Sequence, residues 1–310
     1  MNTLDMTNLF KDKRAAMFIA HPSHELRVYG WVNEARPLTF ILTDGSGRSG
    51  EPRIDWTTRL LDKIGIERGG IYGRLSDLDV YASILRRDYG IFIDLTDELA
   101  EALISEEIDY IAGDAVEGVN VSHETCRLMI GAAVEKAKRM SGRSIANYDF
   151  IVVGSPSECP EELKSGAIRL CLDDETLNNK IEAARHYHPK LAADVNAALH
   201  GDLFRGAKRF TEPALAAEAS AKLGDMAILD KYPELKTKIA AMLEGVKLES
   251  FSEEILRPAD NRAGCSGMPS DPAFYEIYGE NLVSAGKYHE VIRYREHMMP
   301  LADALWHHIG

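Results

Sequence analysis

Two histidines stand three residues apart in "AHPSHE", Ala20–Glu25, directly after the apolar run "AAMFI", and a third, His123, opens the amphipathic stretch "SHETCRLMIGAAVEKA". Neutral imidazole is a common zinc ligand, and three of them leave a four-coordinate ion one open position for water, the arrangement of a catalytic site rather than a structural one. Glu25, Asp44 and Glu124 are the carboxylates beside these histidines that could take a proton from such a water. Asp44 is favoured, because it ends the apolar run that follows the first one, and the tips of neighbouring strands lie about 5 Å apart. Ser23, between the two histidines, cannot act as a base near neutral pH and can at most orient water or substrate by hydrogen bonding. A plainer reading of the same residues makes His21 a loop residue and His24 a polar helix cap.

Convergence of the three rings requires elements that deliver them to one place. The run Ala16–Ala20 ends at His21-Pro22, where the proline disfavours helix for the residue before it, so a buried strand ending in a loop is expected. From His24 to Ala35 the apolar positions fit one helical stripe, and "LTFILTDG" after Pro37 supplies a second strand. "WTTRLLDKIG" and "DLDVYASILRRDYG" read as helices closed by glycines, "IFI" and "DYIAG" as strands flanking the helix "DLTDELAEALISEE", Ser122–Met140 as a long helix, and "FIVVG" as a further strand. Alternating strands and helices predict an α/β, Rossmann-like fold with a mostly parallel sheet between helices. In such sheets ligands collect at the carboxyl ends of the strands, where His21, His24 and His123 would all lie.

After about Asp173 the segments "ETLNNKIEAARHYH", "PALAAEASAKLG", "PELKTKIAAMLEG" and "YHEVIRYREHMMPLADALWHH" are helical in pattern with no good strand between them. The division expected is 1–173 as a metal-binding catalytic domain and 174–310 as a helical C-terminal extension packed on it as one unit. "RPADNRAGCSGMPSDP", Arg257–Pro272, reads as a connector or flap.

Other residues with chemical potential have competing explanations. "GSGRSG", Gly45–Gly50, matches a dinucleotide-binding glycine pattern after a strand, but Glu51-Pro52-Arg53 interrupts the helix that should follow, so a glycine-rich active-site loop is the better reading. Cys126, three after His123, falls on the apolar face of its helix and belongs to the core. Arg293, Arg295 and His297 lie within one helical stretch, either as a solvated face or as a substrate clamp whose arginines hold a phosphate or carboxylate.

Composition narrows the partners. The 310 residues are 45% hydrophobic and 27% charged, as in ordinary globular proteins, and carry a formal net charge of −13. That excess of carboxylates repels a phosphate backbone, and no lysine/arginine run offsets it, so a nucleic-acid partner is not expected. The four cysteines are scattered without paired spacing, and the N-terminal segment offers neither a signal-peptide core nor the roughly 20 apolar residues of a membrane span, so a cytoplasmic, reducing location is expected.

Taken together, the strand, the His-Pro-x-x-Glu turn, the helix, the strand ending Thr-Asp-Gly and the later helix-opening histidine resemble the LmbE-like (PIG-L) zinc N-deacetylases. The first signature of that family is Ala-His-Pro-Asp-Asp-Glu and its second is His-Pro-Asp-His. Ala20, His21, Pro22, Glu25, Thr43–Gly45 and His123 match; Ser23 replaces the aspartate that serves as the base, His24 replaces a carboxylate ligand, and Asn120 replaces the first histidine of the second signature. The resemblance spans roughly residues 15–155. It implies a divalent metal, zinc by preference, held by His21, His24 and His123, and hydrolysis of an N-acyl group on a sugar or small amine-containing metabolite. The alternative is a sugar- or metabolite-binding protein on the same scaffold that lost its base.

Overall fold

The computed structural model describes residues 12–47, 50–153, 158–187 and 252–310. Its centre is a seven-stranded sheet in the order β3-β2-β1-β4-β5-β7-β6. Strands β1 (Ala15–Ile19), β2 (Leu38–Thr43), β3 (Arg68–Leu75), β4 (Tyr110–Asp114) and β5 (Ala146–Phe150) run parallel, whereas β7 (Glu253–Pro258) is antiparallel to both β5 and β6 (Ile168–Cys171). The fold is therefore α/β with a mostly parallel sheet. Among the described residues, no helix is long and apolar enough to cross a membrane.

The apolar run of β1 is continuous because the strand is buried on both faces. Ala16 and Phe18 pack with the helices α4 (Gly90–Ser105) and α5 (Val121–Ser141), while Met17 and Ile19 pack on the opposite side with Trp31 and Val32 of α1 (Tyr29–Ala35). From β1 the chain winds outward through β2 and β3 on one side, then returns to place β4 on the other. The connections after β1 and β4 thus part in opposite directions, which opens a crevice at the carboxyl ends of those two strands.

Several expected elements differ from those observed. "IFI", Ile91–Ile93, is the first turn of α4 and not a strand, because Phe92 begins a buried stripe that continues through Leu95, Leu99 and Leu103 at helical spacing. Gly90 accordingly opens a helix and does not close one. Strand β3, "RGGIYGRL", carries no clean alternation; its glycines allow close approach, since a Cβ at Gly69 would fall on the Phe40 ring. Strand β5 ends at Phe150, where "FIVVG" was expected to begin. The chain after 173 is not wholly helical, since β7 returns to the sheet between β5 and β6. Helices α6 (Asp174–Arg185), α7 (Phe274–Ser284) and α8 (Met299–Ile309) accompany it, whereas "PALAAEASAKLG" and "PELKTKIAAMLEG" lie outside the described residues.

A buried ion pair ties this late strand to α6 (Asp174–Arg185), and its carboxylate also holds α1. Glu254 of β7 accepts the backbone N–H groups of Gly30 and Trp31 at 2.9 and 2.8 Å, in the first turn of α1, and pairs with Lys180 of α6 at 2.7 Å. Glu254 and Lys180 are both almost fully buried. A carboxylate at a helix N-terminus satisfies donors that have no intrahelical partner and complements the helix dipole. Glu254→Ala strands the ammonium in the interior and is expected to destabilise the fold by about 3–5 kcal/mol. Glu254→Ala combined with Lys180→Met should recover part of that loss, as read by denaturant unfolding of the three variants beside wild type.

Candidate metal centre

Strand β1 ends at Ile19, and the Ala20 N–H donates to Asp114 Oδ2 at 2.8 Å, tying the tips of β1 and β4 together. The chain then turns through His21-Pro22-Ser23, with Ser23 at φ +91°, a left-handed conformation costly for any residue but glycine. Its neighbours hold it there. Glu25 Oε2 accepts the Ser23 N–H at 2.8 Å, and Glu25 Oε1 accepts the Thr57 hydroxyl at 2.7 Å. A short helical turn, His24–Val28, follows and carries His24 inward. From across the switch point, α5 begins at Val121 behind the N-cap Asn120, whose Oδ1 accepts the Ser122 N–H at 2.9 Å, so His123 projects from the first turn.

All three imidazoles are buried, and their ring centroids lie 5.3 Å (His21–His24), 5.1 Å (His21–His123) and 4.6 Å (His24–His123) apart, with interplanar angles of 63–83°. Nitrogens about 2.0–2.1 Å from a tetrahedral ion put ring centres about 5 Å apart. The observed triangle has that size.

Hydrogen-bond partners fix which nitrogen of two of the rings is available. His24 Nδ1 lies 2.9 Å from Asp114 Oδ1, and a carboxylate can only accept, so His24 is protonated on Nδ1 and presents Nε2. Burial raises the cost of charge on Asp114, but His24, His123 and the Ala20 N–H outweigh it and hold the carboxyl below its ordinary range. His21 Nδ1 lies 2.9 Å from both Thr43 Oγ1 and Asp77 Oδ1. The Thr43 hydroxyl donates to the Ala20 carbonyl at 3.0 Å and receives the Gly45 N–H, so toward His21 it too accepts. His21 is therefore also protonated on Nδ1, and its buried Nε2 has no hydrogen-bond partner among the described residues. A buried imidazole nitrogen in that state suits a cation. For Asp77, burial again opposes the charge, and His21 together with the Gly47 N–H more than compensates, keeping the carboxyl well below the usual carboxylate range.

His24, Asp114 and His123 also place one ligand atom each within 4.8 Å of one another. Both Asp114 oxygens accept hydrogen bonds, from Ala20 and His24, so that carboxylate orients a ring as well as standing among possible ligands, and the three buried imidazoles are a second combination of donors able to hold a divalent ion.

The remaining sequence candidates are placed differently. Asp44 is half-buried beside Thr43, with Oδ1 accepting the Ser46 N–H at 2.9 Å. Glu25 faces Ser23 and Thr57, where burial pushes its carboxyl up to about 7 against the Thr57 hydrogen bond. Glu124 Oε1 accepts the Gly118 N–H at 2.6 Å, and burial pushes that carboxyl up to about 8. Arg293 pairs with Glu280 at 2.9 Å, Arg295 with Asp271 at 2.6 Å, and buried His297 accepts the Arg293 N–H, so these three form a cluster within the C-terminal segment, with the guanidinium charge already matched. In "GSGRSG" the described glycines 45, 47 and 50 all have positive φ, and the next helix, α2 (Ile54–Ile64), begins only after Arg53. Asp77 and Asp114 escaped the sequence reading. Asp77 sits in "SDLD", which reads as a helix cap; Asp114, at the end of "DYIAGD", had the signal of a carboxylate on a strand tip.

No protein-family model and no curated protein matches the chain. Among solved structures, A40926 pseudoaglycone deacetylase is similar at 14% identity, covering 79% of this chain and 96% of its own, with a TM-score of 0.42. The zinc-inhibited form of a teicoplanin deacetylase is similar at 11% identity, covering 79% and 97%, with a TM-score of 0.35. At such distances the chemistry of this site rests on its own geometry.

The raised Glu25 carboxyl has a consequence for pH. Its proton is held more tightly folded than unfolded, so its contribution is fully present below its ordinary value of 4.5 and is lost as pH rises through about 7. Metal-free protein is therefore expected to lose roughly 3 kcal/mol between pH 4.5 and 8 from this group, and Glu25→Gln to flatten that decline in chemical-denaturation curves.

Proposed function

We propose that the protein is a divalent-metal-dependent hydrolase that removes an N-acyl group, acetyl by preference, from a sugar or small amine-containing metabolite. The observation that carries this reading is the triangle of three buried imidazoles at the switch point of a parallel sheet, with the Nδ1 of His21 and of His24 each beside a carboxylate. The His-Pro-x-x-Glu turn and the Thr-Asp-Gly strand end, which resemble the LmbE-like deacetylases, supply the reaction class. Zinc or a similar ion held by His21, His24 and His123 would supply Lewis acidity toward the acyl carbonyl and make water nucleophilic near neutral pH.

The chain's own residues then have distinct tasks. Asp114 holds the Nδ1 proton of His24, Thr43 accepts that of His21, and Asp77 sets its charge beside the same His21 nitrogen. Glu25 and Thr57 hold the left-handed turn that sets the spacing of those two rings. Asp44 is the proposed proton acceptor, through the oxygen not engaged by Ser46. Ser23 orients water or substrate by hydrogen bonding. The four cysteines are unpaired, which supports a reducing, cytoplasmic setting.

A second reading, a metabolite-binding protein without turnover, is favoured by one observation: Ser23 stands where the resembled family has its base. Acetate release from a panel of N-acetylated sugars and amines, at equal zinc occupancy, separates the two. Asp44→Asn is expected to lower turnover by about 10²–10⁴-fold with little loss of metal. Glu25→Gln is expected to weaken metal binding by about 10–100-fold, because the histidine spacing relaxes. Full activity in Asp44→Asn rejects that choice of base, and no acetate from wild type across the panel favours the binding protein.

A further inference from the structure

Asp77 is a buried acid that its own helix does not need. It lies in the first turn of α3 (Asp77–Leu85), where acids are commonly explained by the helix dipole. The capping there is done by other residues, because the Ser76 hydroxyl accepts the Asp79 N–H and Asp79 Oδ2 accepts the Ser76 N–H. The Asp77 carboxylate turns inward instead. Its Oδ1 stands 2.9 Å from His21 Nδ1, and its Oδ2 accepts the Gly47 N–H at 2.6 Å. The His21 N–H is directed at Thr43 Oγ1, so Asp77 Oδ1, off that line, acts on the ring through its charge.

Gly47 belongs to the glycine-rich loop that follows β2, and this loop leans on the histidine turn at a second point. A Cβ on Gly45 would come within 2.8 Å of Pro22 Cδ, the residue next to His21. Arg53 Nε donates to the Gly45 carbonyl at 2.6 Å, and the Gly50 N–H to the Ser46 carbonyl at 3.2 Å, which close the loop on itself. Positive φ at Gly45 and Gly47 allows both approaches.

We infer that Asp77 is a positioning residue that couples cation binding at His21 to ordering of the glycine-rich loop, so that this loop is a wall of the metal centre and not a nucleotide cradle. The inference rests on the metal reading above. A cation on His21 Nε2 draws electron density from the ring and makes Nδ1–H more positive, which strengthens its attraction to Asp77 and through Asp77 holds Gly47. By reciprocity, loss of the loop contact weakens the cation's hold by the same factor.

The test uses the full chain stripped by chelator and titrated with zinc, reading zinc affinity and hydrogen–deuterium exchange of the peptide spanning residues 44–53. Zinc is expected to slow exchange of this loop in wild type. Asp77→Asn has one acceptor oxygen in place of two and no charge, and it is expected to bind zinc about 10–100-fold more weakly and to show no zinc-dependent slowing even at saturation. Asp79→Asn disturbs the cap of the same helix and should leave both readings unchanged, which separates helix damage from the coupling. Unaltered zinc affinity in Asp77→Asn, or loss of affinity in Thr43→Val alone, overturns the inference while the metal reading stands. Failure of zinc to slow loop exchange in wild type overturns it whatever the variants do. A wild type that binds no divalent ion removes the metal reading itself, and this inference with it.

Discussion

The arrangement of the site depends on one carboxylate, that of Asp114. It is fully buried at the tip of β4, accepts the Ala20 N–H with one oxygen and faces His24 Nδ1 with the other. The end of β1, the end of β4 and one imidazole are thereby a single unit. A buried charge without partners costs several kcal/mol, so these three elements hold together or the carboxylate does not stay ionised. The adjacency comes from the sheet order, because β1 and β4 are neighbours only where the winding direction reverses. The same reversal opens the crevice into which the rings project.

Around this anchor the chain accepts local strain and satisfies it with side chains from elsewhere. Ser23 in a left-handed conformation costs of order 1–3 kcal/mol, which the Glu25 carboxylate and the Thr57 hydroxyl offset by holding its N–H and each other. Thr57 comes from α2, beyond the next strand, and also meets the hydroxyl of Tyr187 just after α6. Asp77 sets a carboxylate beside His21 as Asp114 does beside His24, but there Thr43 accepts the ring N–H and Asp77 acts through its charge. Two imidazoles are each placed beside an acid from a different element, and the hydrogen bonds to Asp114 and Thr43 fix their tautomers.

Late segments of the chain finish the scaffold. Glu254 on β7 and Lys180 on α6 hold the first turn of α1, and the Tyr275 N–H of α7 donates to the Gly118 carbonyl in the connection that leads to His123. Residues far apart in sequence therefore brace both approaches to the crevice. Buried polar pairs of this kind contribute less to net stability than apolar packing would, but breaking one side of them is costly, so they restrict how these elements can dock.

The sequence by itself determined the parts governed by local periodicity: the doubly buried β1 and β4, the long α5 that His123 opens, and the turn at His21-Pro22. It misled where pattern and context conflict, as at Ile91–Ile93, a strand-like triplet that is the first turn of a helical stripe, and at β7, whose "EEILRP" shows little strand pattern because one of its acids is turned inward to cap a helix. Only the tertiary structure decided which acids serve the histidines. Asp77 and Asp114 look in sequence like a cap and a strand end, and the fold sets each of them beside a histidine ring. The reason is physical. Periodicity follows from backbone geometry over a few residues, whereas the partner of a charged group is set by whatever distant element the fold brings within about 3 Å, where hydrogen bonding and desolvation are decided.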